Sequence, residues 1–199
     1  MVKKADLPKH ILDRAFELAA ERGWRAISLS DIAGAAKVPL SQLYALYPSK
    51  TAILEAFSQE LDRQVLSATD AETPEGSARD RLFDVVMRRL DAMEPHREAV
   101  RAILNGTRRD PLMALASLGQ FMRSMACMLE AAGISAAGVR GAIRVEGLAA
   151  IYLATLRVWL KDESEDRART MATLDSRLRR AESWIGMLER RRPGRSSAA

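Results

Sequence analysis

Apolar residues recur every three or four positions along almost the whole chain, and no stretch alternates apolar and polar residues for long. That spacing turns one side of a helix toward a core and leaves the other to water. It restricts the fold to an all-α architecture of packed amphipathic helices, about nine of them in 199 residues. With 48% hydrophobic and 29% charged residues, the chain can bury a core and is too apolar to stay disordered.

The pattern places a first helix over about 8–22, with Ile11, Leu12, Ala15, Phe16, Leu18 and Ala19 on its inner face. Pro8 suits its first turn, and Gly23 ends it in the left-handed region. Ser28 and Asp31 form an S-x-x-D start signal for a short second helix buried through Leu29, Ile32, Ala33 and Ala36. After a turn at Lys37–Val38 a third short helix runs to about Leu46 and stops at Pro48. Ser49 caps a fourth, roughly 50–67, with Ile53, Leu54, Phe57, Leu61 and Val65 inward. The stretch SATDAETPEGSA (67–78) reads as a loop. Longer helices are expected near 78–93, 95–105, 110–132, 136–161 and 164–191. The organisation expected is an N-terminal three-helix helix-turn-helix unit (1–50), a larger helical bundle (51–192) and a disordered tail (193–199).

Residues 38–50, VPLSQLYALYPSK, carry the chemistry. Two short helices joined by a tight turn and followed by an aromatic-Pro-Ser-Lys corner form a helix-turn-helix pattern. Leu40, Leu43 and Leu46 or Tyr47 are expected to face inward, with Ser41, Gln42, Ala45 and the Tyr44 phenol at the outer face or rim. Gln42 can pair with an adenine edge, and Ser or Tyr can reach a base or phosphate. The fourth helix begins at the corner, so its free N–H groups, its dipole and Lys50 are expected to hold a phosphate.

The segments ILDRAFELAAERGW, SLSDIA, AAKV, LYALYPSK and LEAF within residues 11–57 resemble the DNA-binding domain of the TetR/AcrR family of one-component repressors. The resemblance implies a homodimer bound to double-stranded operator DNA and released by a small apolar molecule. It implies phosphate contacts at Ser28, Tyr44 and Lys50, and base-edge contacts within 39–44 that draw on Pro39, Leu40, Ser41 and Gln42. The sequence departs from the family pattern at Lys37 in place of a usual Gly and at Pro39 in place of a capping Ser or Thr. Ala45 and Leu46 replace commoner polar residues, so the reading surface is less polar than usual.

In the C-terminal part, a Met-rich helix and its neighbours are read as an adaptable ligand pocket of Phe83, Met87, Phe121, Met122, Met125, Tyr152, Leu156 and Trp159. The plainer reading of each residue is core packing. No charged residue stands out as a ligand anchor; Arg144, Glu146, Arg157 and His96 are the candidates. Small residues over 136–154 and a stripe of Met171, Leu174, Leu178, Ala181, Trp184, Ile185 and Leu188 are expected to build a two-fold four-helix dimer interface. The segment DESEDRARTMATLDSRLRRAE (162–182) is similar to the end of the lipid-binding proteins of ubiquinone biosynthesis, which share the fold without acting as repressors. That similarity implies the alternative function, a lipid-binding accessory protein without DNA binding.

Charge adds little to the case for DNA. Residues 1–60 hold eight Lys/Arg against seven acids, a net +1, whereas residues 177–199 hold seven Arg against two Glu, a net +5. The basic arm of Lys3, Lys4 and Lys9 can add phosphate contacts. One cysteine, Cys127, forms no internal disulfide and fits a reducing cytoplasm. No signal-peptide pattern and no membrane-length apolar run are seen, so no membrane partner and a cytoplasmic location are expected. No nucleophile elbow, metal spacing or phosphate loop is present, so neither an enzyme nor a cofactor is expected.

Overall fold

The computed structural model describes residues 6–70 and 76–190, with side chains over 6–69 and 76–183. Within them the fold is all-α: α1 (Leu7–Arg22), α2 (Leu29–Ala36), α3 (Leu40–Leu46), α4 (Lys50–Asp70), α5 (Ala78–Met93), α6 (Arg97–Thr107), α7 (Pro111–Ala131), α8 (Gly138–Trp159) and α9 (Ala168–Arg190). Single 3₁₀ turns sit at Trp24–Ala26 and Glu94–His96. The fourth helix runs three residues beyond its expected end at 67, taking the first part of the expected loop. Lys3, Lys4, the middle of that loop, the side chains of Trp184, Ile185 and Leu188, and the tail lie outside the described residues.

Two apolar clusters organise the helices. The first gathers α1 to α3, Trp24, Ile53 of α4 and Ala99 of α6. The second gathers α4, α5, α7, α8 and α9 around Leu90, Met125, Met128, Trp159 and Leu174, each fully buried. Phe57 packs against both. A boundary at residue 50 therefore falls at the start of a helix whose first turns serve one core and whose later turns serve the other.

Local signals explain several ends. Ser28 and Asp31 close a reciprocal capping box on α2, with Ser28 Oγ accepting from Asp31 N at 3.1 Å and Ser28 N donating to the Asp31 carboxylate at 2.8 Å. An equivalent box of Ser77 and Asp80 opens α5. Gly23 has φ +83, but its ψ of 142 lies outside the left-handed helical region expected of it. A Cβ at Gly141 would stand 2.0 Å from the Ala136 carbonyl oxygen, so the turn before α8 requires glycine there.

The loop between α8 and α9 is drawn inward by Asp162, which is 1% exposed. Its carboxylate accepts from Ser164 N (3.3 Å) and Oγ (2.5 Å) and from Thr170 N (2.8 Å) and Oγ1 (2.7 Å). Burial opposes its charge, but the hydrogen bonds outweigh burial and hold the carboxyl well below the usual carboxylate range. From α6, Arg97 donates to the carbonyls of Trp159 and Asp162 and lies 5.0 Å above the Trp159 ring. The stripe expected on α9 for a dimer is partly spent inside the chain: Leu174 and Leu178 are buried in the second cluster.

By length and composition α7 is apolar enough to cross a membrane, contrary to the sequence expectation. One side of it enters the core through Met125, Met128 and Leu129. Leu112, Leu115 and Leu118 on its first turns are exposed.

Asp162→Ala is expected to cost about 3 kcal/mol in urea unfolding, from lost charge-assisted hydrogen bonds. Because the folded carboxyl titrates below the unfolded one, this contribution is full above about pH 4 and is lost as pH falls toward the folded value. The gap between wild type and variant should therefore narrow in acid.

Candidate nucleic-acid interface and ligand-binding core

A short helix presents most of its residues outward. In α3 only Leu43 is buried, at 0% exposure, and Tyr47 just beyond it is held by a hydrogen bond from its hydroxyl to the Pro8 carbonyl at 3.2 Å. Ser41, Gln42 and Ala45 are exposed, and Tyr44 is 58% exposed. Leu40, expected inward, is instead 46% exposed, and of the alternatives Leu46 and Tyr47 it is Tyr47 that faces in, with Leu46 40% exposed. The face formed by Leu40, Ser41, Gln42 and Tyr44 is thus open along one side of the unit.

The turn before α3 is tight. Lys37 takes the left-handed conformation (φ 56, ψ 42), and its N–H is bonded to Gly34 O at 3.1 Å. Pro39 sits at the helix start with no side-chain cap, and its carbonyl accepts from the N–H groups of Gln42 and Leu43. His10 Nε2 lies 3.1 Å from the Ala36 carbonyl oxygen and joins α1 to the end of α2.

Lys50 was expected to reach a phosphate. Its ammonium instead turns inward, donating to the carbonyls of Trp24 at 2.7 Å and Ile27 at 2.8 Å, 5.2 Å from the Trp24 ring centroid. Burial lowers its pKa. The ammonium closes the link between α1 and α2 and keeps one of its three N–H donors for another acceptor. The Ser28 hydroxyl is exposed, although it is also committed to Asp31 at 2.5 Å.

The eight residues expected to line a ligand pocket all border the second apolar cluster. Met125, Tyr152, Leu156 and Trp159 are buried in it, and Phe83, Met87, Phe121 and Met122 pack against it half-buried. The Phe121 and Tyr152 rings stand 6.1 Å apart. Phe83 also lines an open cleft of about 400 Å³ between α5 and α9, with Arg79, Asp80, Asp84, Met171, Ala172 and Asp175. Of the four candidate anchors, Arg157 and Glu146 are exposed, and Arg144 donates to the Ser135 carbonyl at 3.0 Å. His96 is wedged between Phe16 and Phe57, with ring centroids at 5.1 and 5.4 Å. Burial lowers its pKa.

The polar group that occupies this core was not foreseen. Arg89, 4% exposed, pairs with Asp62, and its Nη2 donates to Ser58 Oγ at 3.1 Å and Ser124 Oγ at 3.3 Å. Ser124 Oγ donates to Asp62 at 2.7 Å. Burial works against the Arg89 charge, but the adjacent Tyr152 oxygen and Asp62 carboxylate outweigh it and keep the guanidinium protonated. Burial pushes the Tyr152 phenol up. The sequence holds a signal for this cluster: Arg89 interrupts the inward stripe Leu82, Val86, Met93, three residues after Val86 and four before Met93. Among the described residues, no group of three His, Cys, Asp or Glu is placed to hold a metal.

Residues 11–57 match the family described as bacterial regulatory proteins, tetR family. Residues 116–184 match the family described as COQ9. No curated protein matches the chain. Among solved structures, the TetR transcriptional regulator of Nitrosomonas europaea ATCC 19718 is similar at TM-score 0.70 and 26% identity, over 89% of this chain and 98% of that one. A TetR regulator of Rhodococcus sp. RHA1 is similar at TM-score 0.64 and 20% identity, over 89% and 96%. Salmonella enterica GusR is similar at TM-score 0.57 and 24% identity, over the same shares.

Replacing Lys37 by Gly should relieve the left-handed backbone and raise stability by about 0.5–1 kcal/mol, read as a higher urea midpoint at unchanged m-value.

Proposed function

We propose that this chain, which carries a TetR-type helix-turn-helix unit on the fold of TetR-family transcriptional regulators, is a homodimeric repressor. In this reading it binds operator DNA through α3 and is released by a small, largely apolar molecule in its second core. The observation that carries the reading is the outer face of α3. Leu40, Ser41, Gln42 and Tyr44 stand exposed on a helix fixed from behind by Leu43 and Tyr47. Side chains held by a packed scaffold can read base edges without first being ordered.

In this reading Gln42 contacts a base, Tyr44 and Ser28 contact phosphate, and Leu40 beside Pro39 meets a thymine methyl. Lys50 contributes its one remaining N–H, together with the free amides at the start of α4. The stripe of Val139 (80% exposed), Ile143 (63% exposed), Gly147 and Ala150 on α8 supports a dimer, because it is apolar, small and uncovered. A two-fold pair would set the two α3 helices about one DNA turn apart, roughly 34 Å, or a multiple of it. A ligand that fits only one spacing would shift the equilibrium toward or away from DNA.

The COQ9 match over 116–184 supports a second reading, a lipid-binding accessory protein that does not read DNA. Lipid copurified in native mass spectrometry, with no fragment selected from a random DNA pool, would favour it. The repressor reading expects the opposite: a selected sequence, bound in preference to random DNA and more weakly as salt rises.

Gln42→Ala should weaken binding to the selected sequence by about ten- to a hundredfold and relax preference at one base pair, measured by electrophoretic shift. An unchanged affinity would remove α3 as the reading helix. Ile143→Glu should convert the dimer to monomer in sedimentation velocity while leaving the helical circular dichroism unchanged.

A further inference from the structure

Buried donors without acceptors are costly, and the centre of the C-terminal bundle holds two on neighbouring groups. Arg89 spends Nη1 on Asp62 and Nη2 on Ser58 and Ser124, but its Nε–H is buried with no acceptor. Beside it Tyr152, 4% exposed, directs its hydroxyl to the thioether sulfur of Met93 at 3.7 Å, a weak acceptor. The Tyr152 oxygen in turn accepts from Arg89, so two neighbouring buried groups keep a donor each, one with no acceptor and one with only a sulfur.

We infer that this pair recognises an uncharged carbonyl oxygen carried on an apolar body. The inference rests on the ligand-responsive reading above and specifies the chemistry of that ligand. Charge decides the class. Asp62 already neutralises Arg89, so the cluster offers donors but no net positive charge. A carboxylate placed here would bring an uncompensated charge into the core beside Asp62, which is strongly unfavourable. An ammonium would meet donors that it cannot accept from. A hydrocarbon would leave both donors unspent. A ketone, ester or amide oxygen has two lone pairs and accepts from both without adding charge.

The surroundings suit such a molecule. Met87 and Met122 pack at the edge of this core and Met125 lies inside it, and unbranched thioether side chains rearrange readily to admit a guest. The site also reaches the reading unit. Ser58 and Asp62, which hold the guanidinium, lie on α4, whose first turn packs with α1 to α3. A ligand that draws Arg89 toward itself would thereby pull on α4.

Isothermal titration of the purified full-length protein with 2-nonanone and with nonanoate tests this without DNA. The ketone should bind saturably and at least about tenfold more tightly than the carboxylate. Tyr152→Phe removes one donor, and unchanged helical circular dichroism checks that the variant folds. It should weaken 2-nonanone about tenfold and leave nonanoate unchanged. Arg89→Lys, which keeps the charge but loses the Nε–H, should also weaken the ketone. Nonanoate binding as tightly as the ketone, a Tyr152→Phe variant with undiminished ketone affinity, or no saturable ketone binding would each overturn the proposal. A DNA shift on the same preparation separates the two readings. Operator binding without ketone binding sinks this inference alone, and ketone binding without any operator sinks the repressor alone.

Discussion

The rest of the structure depends on one helix belonging to two cores. α4 enters the N-terminal cluster through Ile53, shares Phe57 with both clusters, and enters the C-terminal cluster through Leu61 and Val65. Apolar burial alone would let it slide, because hydrophobic contact is not directional. The Asp62–Arg89 pair, with Ser58 and Ser124 bonded around it, supplies direction. It fixes the height and rotation of α4 against α5 and α7. Pairing two buried charges gains little net stability, but losing one partner costs about 3–5 kcal/mol. The pair therefore contributes more to register than to stability.

A second connection runs through α6. Ala99 belongs to the N-terminal core, and the backbone at Gly106 lies against Trp24 and Arg25, where a Cβ would stand 3.4 Å from Arg25 Cγ. On another side of the same helix Arg97 and Arg101 donate to carbonyls at the end of α8. Those carbonyls are the ones a helix end leaves unbonded. His96, at the start of α6, fills the space between Phe16 and Phe57. Two stiff routes thus join the halves, one through α4 to the middle of the bundle and one through α6 to the end of α8. Under the proposed ligand response, a shift in the bundle would reach the N-terminal unit along these two routes, because packed cores deform in steps rather than continuously.

Much of this was legible in the sequence. Long amphipathic stretches gave helix positions to within a few residues, and the S-x-x-D signal at Ser28 became a reciprocal capping box. The differences share a cause. A helix of about two turns offers few inward positions, so periodicity could not tell that Leu43 and the following Tyr47 face in while Leu40 faces out. Lys50 was read by its position at a helix start, and that position did not show that two of its three N–H donors are spent on carbonyls more than twenty residues earlier. Arg97 likewise bonds carbonyls more than sixty residues later. Such partners are set by tertiary approach, and local pattern does not encode them. Arg89 is different: its place in an apolar stripe was visible, but an isolated charge there only gains meaning once Asp62 and Tyr152 are seen beside it.

The outward turn of Leu40 and Leu46 changes what the N-terminal face can do. With Lys50 folded inward and Pro39 offering no hydroxyl, the face presents few polar side chains. Under the proposed function such a surface would make few phosphate contacts and draw more on shape and on methyl contacts to thymine. Under the proposed function affinity per reading head would be low, and occupancy of a site would fall to the pairing of two heads. Doubling the head raises the effective concentration of the second contact without any new side chain. In the proposed reading the bare stripe on α8 and the sparse face on α3 are one property: a reading head with few contacts would require a partner held at fixed distance, and the bundle holding that partner is the part proposed to take the ligand.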